Sequence, residues 1–164
     1  MKKIPLIIAL FSVVLFFPSC EFLKDSGHVD KSNAALRNNL VKKGKKQVGT
    51  KYKYAGKQPR TGFDCSGFTS YVYKEHELSL SPSSKTQGKQ GAKIPLKQAQ
   101  PGDLVFFSRN RRTIFHVAMV VSNNSEGITV VHSTSSKGVI IQNISKSKYW
   151  KPKILFARDI ISSL

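Results

Sequence analysis

Five strand-like runs crowd the C-terminal part of this chain, at residues 103–107, 114–121, 128–133, 139–142 and 154–157. Each is rich in β-branched or aromatic residues and bounded by turn formers such as Pro101-Gly102 and Asn123-Asn124. The helix-compatible segments all come earlier. Over 32–48, Ala34, Ala35, Leu36, Leu40, Val41 and Val48 recur at helical spacing, with Ser32 as N-cap and Gly49 as terminator. A second helix runs from Cys65 to near Glu77, and a short one follows Pro82. Helices first and strands afterwards predict an α+β fold, with N-terminal helices packed on an antiparallel β-sheet. No internal repeat is visible.

With 164 residues and 40% apolar content, the chain holds one domain with a packed core. Its N-terminus is of another kind. Lys2-Lys3 precedes an apolar stretch over 4–17, too short for a comfortable membrane span, which ends at Pro18-Ser19-Cys20. This pattern resembles a bacterial lipoprotein signal, which implies a leader over 1–19 and a lipid on Cys20. Residues 20–31 then read as a polar tether and 32–164 as the working domain. An exported protein anchored at a membrane and facing the wall or periplasm is the expected localisation.

Formal charge is +18, from 27 Lys and Arg against 9 Asp and Glu, and stays at about +16 without Lys2 and Lys3. Such a surface suits anionic partners: wall polymers, lipid headgroups or nucleic acid. Lys42, Lys43, Lys45 and Lys46 are read as a solvated helix face.

There are two cysteines, Cys20 and Cys65. With Cys20 lipidated, Cys65 is a single exported thiol, a liability unless used or buried. It lies at a loop-to-helix junction in Gly62-Phe63-Asp64-Cys65-Ser66-Gly67-Phe68, where the helix dipole is expected to favour thiolate. His116 and His132 follow in strand segments, the order expected of a cysteine hydrolase. Alternation puts His116, Ala118 and Val120 on one face of their strand and Phe115, Val117, Met119 and Val121 on the other. If Val121 pairs with Gly127, His116 stands directly opposite His132, with Cβ atoms about 4.5–5.5 Å apart. A slip of one residue would part them to opposite faces. In that register Cys65 is the nucleophile, His116 the base that holds it as thiolate and then protonates the leaving amine, and His132 the group that orients His116.

The sequence resembles the NlpC/P60 family of cell-wall peptidases, papain-like in fold. Gly49-Thr50-Lys51-Tyr52-Lys53-Tyr54-Ala55-Gly56 is similar to its Gly-Thr-x-Tyr-x-x-Gly-Gly. Phe63-Asp64-Cys65-Ser66-Gly67-Phe68 matches its Asp-Cys-Ser nucleophile motif, and Pro101-Gly102-Asp103-Leu104 its Pro-Gly-Asp-Leu. His116-Val117-Ala118 resembles its His-Val-Gly, and Val131-His132-Ser133 its terminal Ile-His-Ala. The departures are Ala55, Ala118 and Ser133, each small for small. The resemblance implies a cysteine endopeptidase that hydrolyses peptidoglycan stem peptides or cross-links, at γ-D-glutamyl–diamino acid or D-alanyl–diamino acid bonds. It further implies Tyr52 near the oxyanion site, and Asp64 and Ser66 at the substrate's polar end. Peptidoglycan and a membrane are then the partners, a monomer is expected, and no cofactor is called for.

Other readings are a catalytically silent wall-binding lipoprotein, another acyl-transfer enzyme on the same fold, and an exported nucleic-acid binder. The intact Cys65, His116 and His132 weigh against the silent protein, and the nucleic-acid reading rests on charge alone. A zinc site from Cys65, His116 and His132 lacks any short-spaced ligand pair, so no metal is expected.

Overall fold

The computed structural model describes residues 22–162, with side chains from residue 31 onward. The expected leader and Cys20 lie outside the described residues. Helix α1 (Phe22–Lys45) starts well before the expected boundary, so most of the segment read as a tether is helical and Ser32 lies inside the helix rather than capping it. Gly27 lies within this stretch, costs a helix only about 1 kcal/mol and does not stop it.

After α1 the chain makes a small ribbon, β1 (Lys57–Gln58) with β2 (Gly62–Phe63), then α2 (Cys65–Lys74) and α3 (Ser84–Gln87). The strands β3 (Ala92–Ile94), β4 (Leu104–Ser108), β5 (Ile114–Asn124), β6 (Gly127–Thr134), β7 (Gly138–Asn143) and β8 (Ile154–Asp159) follow. They form one sheet in the order β3-β8-β4-β5-β6-β7, antiparallel at every pairing. The α+β architecture expected from the order of elements is the one observed. Edge strand β3 carries no sequence signal, because its three residues are largely exposed and one is Lys93.

Both faces of the sheet are covered, which explains the unbroken apolar run of β4. Leu104 and Phe106 point toward α1 and α2, joining Leu40, Phe68, Val72, Val117, Met119 and Val131. Val105 and Phe107 point the other way, joining Ala118, Val120, Val130, Ile144 and Trp150. Gly44 lets α1 lie close on the first face: a Cβ there would stand 2.6 Å from Met119 Cε. Arg37 of α1 closes the molecule at the far end. Its guanidinium donates to Asp103 (2.6 Å), Asp159 (2.9 Å) and the Pro101 carbonyl (3.1 Å), tying the first helix to the turn before β4 and to the last strand.

Two β-bulges settle which side chains share a face. The β5–β6 turn pairs Asn124 with Gly127, not Val121 with Gly127. That tight turn alone would bring His132 level with Met119 and put the two histidines on opposite faces. A bulge at Val121 absorbs one residue, after which Val120 pairs with Val130 and Met119 with Val131. His132 therefore falls level with Ala118, on the same face as His116 but diagonal to it rather than directly opposite. A second bulge, where Phe107 pairs with His116 but Ser108 with Ile114, leaves Phe115 unpaired. Phe115 packs on the histidine side, against the expectation from simple alternation.

Candidate active site

The helix that presents Cys65 begins at that residue because Asp64 caps it. The Asp64 carboxylate accepts from the Gly67 amide at 2.6 Å and from the Ser66 hydroxyl at 3.0 Å. The Asp64 amide donates to the Gly56 carbonyl at 3.0 Å, which docks the preceding loop on the helix start. Gly67 makes that approach possible: a Cβ there would sit 2.0 Å from the Gly56 oxygen. Behind the first turn, Gln87 is fully buried. Its amide nitrogen lies 3.1 Å from the Ser66 carbonyl and 2.9 Å from that of Ser81, and its oxygen accepts from the Thr69 hydroxyl at 2.9 Å.

Cys65 is half-buried and a free thiol. It shares a cleft of about 520 Å³ with Tyr52, His116, Gln142 and Trp150, among others. His116 and His132 are both buried, and His116 Nε2 lies 3.0 Å from His132 Nδ1. The Trp150 ring stacks on His116 at 4.5 Å between centroids and lies 5.1 Å from His132, a lid of indole over the pair. The predicted nearness of the two histidines holds, though in the diagonal register.

Burial dominates the electrostatics. It pushes the Cys65 thiol above its ordinary range, against the opposing pull of the Val117 amide and the amides of Ser66 and Cys65 itself. It lowers His116 well below an ordinary histidine, with the neighbouring His132 adding to the effect, and takes His132 down to about 4. The resting site thus favours neutral thiol and neutral imidazoles. The thiolate expected from the helix dipole alone is outweighed by desolvation.

Tyr52 lines the same cleft, and burial, then the nearby Cys65 and Asp64, push its hydroxyl up, so it stays a phenol and a donor. Asp64 and Ser66 do not line the cleft. They are occupied in building the helix start, and the Ser66 side chain is buried. Residues that sequence reasoning passed over also form the walls: Arg109, Lys137, Gln142, Tyr149 and Trp150. Trp150 alone carried a signal, as the single tryptophan of the chain within a Ser- and Lys-rich stretch. Among the described residues, no group of three His, Cys, Asp or Glu is arranged to hold a metal ion.

The departures from the family pattern have local consequences. Ser133 donates its hydroxyl to the Phe63 carbonyl at 2.7 Å, fastening β6 to the strand before Cys65. Ala55 adopts φ 55°, a left-handed conformation that suits the glycine of the pattern better and strains an alanine by about 1–2 kcal/mol.

Comparison with known proteins places the chain in a family. The chain is 37% identical over 124 residues to the Gamma-DL-glutamyl hydrolase of Bacillus subtilis, an overlap of 74% of this chain and 29% of that one. It is 30% identical over 138 residues to the Murein DD-endopeptidase MepH of Escherichia coli, covering 82% of this chain and 48% of MepH. It thus spans less than half the length of these relatives. A crystal structure of an NlpC/P60 family protein from Bacillus cereus superimposes with a TM-score of 0.69 at 29% identity, over 76% of this chain and 40% of that one. The model of the NlpC/P60 family matches residues 49–159, the span that holds the capped helix of Cys65 and both histidine strands, and the chain belongs to that family.

Proposed function

We propose that this protein is an exported cysteine peptidase that hydrolyses peptide bonds of peptidoglycan, held at a membrane by a lipid on Cys20. The observation that carries the reading is the shared cleft. A thiol at a capped helix start faces the same space as a buried His116 that is hydrogen-bonded to His132.

In the mechanism this supports, His116 commits Nε2 to His132, so its Nδ1 is the nitrogen left to act as base. As Cys65 Sγ attacks the scissile carbonyl, its proton passes to His116 Nδ1. The oxyanion meets the Cys65 amide and the Tyr52 hydroxyl. His116 then gives the proton to the leaving amine, and water, deprotonated by His116, hydrolyses the thioester. His132 orients the His116 ring and steadies its charge. Because thiol and imidazole rest neutral, proton transfer accompanies attack. Arg109 and Lys137 in the walls suit a substrate carrying carboxylates, as peptide stems do. The roles of Asp64 and Ser66 are to set the Cys65 helix rather than to touch substrate.

Digestion of purified peptidoglycan by the full chain in detergent, beside Cys65→Ala, tests the reading. New peptides seen by mass spectrometry and lost in the variant would establish the peptidase. Their termini would separate a γ-D-glutamyl from a D-alanyl bond. Binding without cleavage by folded protein would favour the silent wall-binding protein instead.

A further inference from the structure

His132 has two ring nitrogens, and only one is accounted for. Nδ1 meets His116 Nε2, whereas Nε2 is buried without a hydrogen-bond partner among the described residues. If His116 is to keep Nδ1 free as a base, its proton must sit on Nε2 and point at His132 Nδ1. His132 then carries its own proton on Nε2, a buried donor that needs an acceptor. Ile140, which pairs directly with His132 across β6 and β7, offers none, and the Trp150 indole is a donor only.

Gln142 is the polar group in place. It pairs with Val130, two residues from His132 on the same face of the sheet, and it lines the active cleft. Its amide raises the proton affinity of His132 against the effect of burial, the sign of an oxygen facing the ring. The hydrogen bond itself is not closed, since Nε2 lacks a partner of proper geometry.

We propose that Gln142 is a positioning residue, whose amide oxygen accepts the Nε2–H of His132 and thereby locks the tautomer of both histidines with His116 Nδ1 as the free base. It rests on the Cys65–His116 reading above. When His116 takes the Cys65 proton it keeps its Nε2–H bond to His132, and His132 holds its proton on Nε2 throughout. The Gln142 amide adds polarity without adding charge.

The test reads tautomers directly, by long-range 1H–15N correlation of the histidine rings in the 15N-labelled full chain in detergent, alongside steady-state hydrolysis. In the wild type, His132 should show a protonated Nε2 and an acceptor Nδ1. Gln142→Leu should give mixed tautomers and lower kcat about tenfold with KM nearly unchanged. Gln142→Glu should restore the single tautomer, recover most of kcat and move the acid limb of the pH profile upward. If Gln142→Leu does not fold, Gln142→Asn, which withdraws the amide by one methylene, should show the same mixture. A foldable Leu or Asn variant with the wild-type tautomer and kcat overturns the proposal. A wild type that cleaves nothing, yet loses its single tautomer in Gln142→Leu, upholds this role of Gln142 while the peptidase reading fails.

Discussion

At the scale of single residues, desolvation outweighs the helix dipole. Cys65 begins α2 and faces three backbone amides, yet its thiol lies above the ordinary value of 9.0 because its partial burial disfavours the thiolate. His116 is lowered for the same reason. Alkylation of Cys65 by iodoacetamide, followed on its own peptide by mass spectrometry, should therefore accelerate through the alkaline range above pH 9. A rate plateau reaching down into acid would mean a preformed ion pair and would contradict the neutral resting state. His132 offers a second test. Its folded-state value of about 4 lies below the ordinary 6.5, so its burial in neutral form stabilises the fold fully above pH 6.5, and that contribution is lost as pH falls toward 4. The stability of the wild type relative to His132→Asn should thus fall by on the order of 3 kcal/mol between pH 7 and 4, read by urea unfolding. Asp103, whose carboxyl burial raises to about 6, acts in the opposite sense but is common to both proteins and cancels.

At the scale of elements, the site depends on how α2 starts and how β5 meets β6. Asp64 fixes the first turn of α2, and Gln87 fixes that turn to α3 through the Ser66 carbonyl and the Thr69 hydroxyl. Gln87→Leu keeps the volume but removes the buried bonds to the Ser66 and Ser81 carbonyls and leaves the Thr69 hydroxyl only its contacts within α2. It should cost about 2–3 kcal/mol in urea unfolding, and should speed the reaction of Cys65 with a bulky disulfide reagent. Unchanged stability would show that α3 does not hold the helix of Cys65. On the sheet, the bulge at Val121 is the element-scale device that matters. It corrects the parity of a tight two-residue turn and brings His132 to the face of His116.

At the scale of the molecule, Arg37 joins its two ends. It binds Asp103 before β4 and Asp159 at the end of β8, with its side chain 6% exposed. Arg37→Met would leave Asp103 as an uncompensated buried charge and should destabilise by about 3–5 kcal/mol, read by thermal or urea unfolding. Adding Asp103→Leu should recover much of the loss, because the pair repays little more than its own desolvation. A full loss that persists in the double variant would instead assign the cost to packing. Most of the positive charge lies outside this network, on surface lysines, where it suits anionic partners.

Much of this protein was legible in its sequence, because the signals were local. The α+β order, α2 starting at Cys65, the turn at Pro101-Gly102 and the strands β4 to β8 follow from periodicity, caps and turn residues. Residue type and chain order also single out Cys65, His116 and His132, and the structure brings Cys65 and His116 to one cleft with His132 against His116. Helix α1 starts earlier than its sequence signals because one Gly and a polar composition weaken a helix without ending it. The tertiary structure alone decided what depends on register and burial. The bulge at Val121 sets the histidine pairing and the one at Phe115 brings that ring to the histidine side, and a bulge leaves no mark in an alternating strand. Trp150 and Gln142 reach the cleft from segments distant in sequence from Cys65. Neutral protonation states arise from desolvation, a property of the surroundings of a side chain and not of its neighbours along the chain.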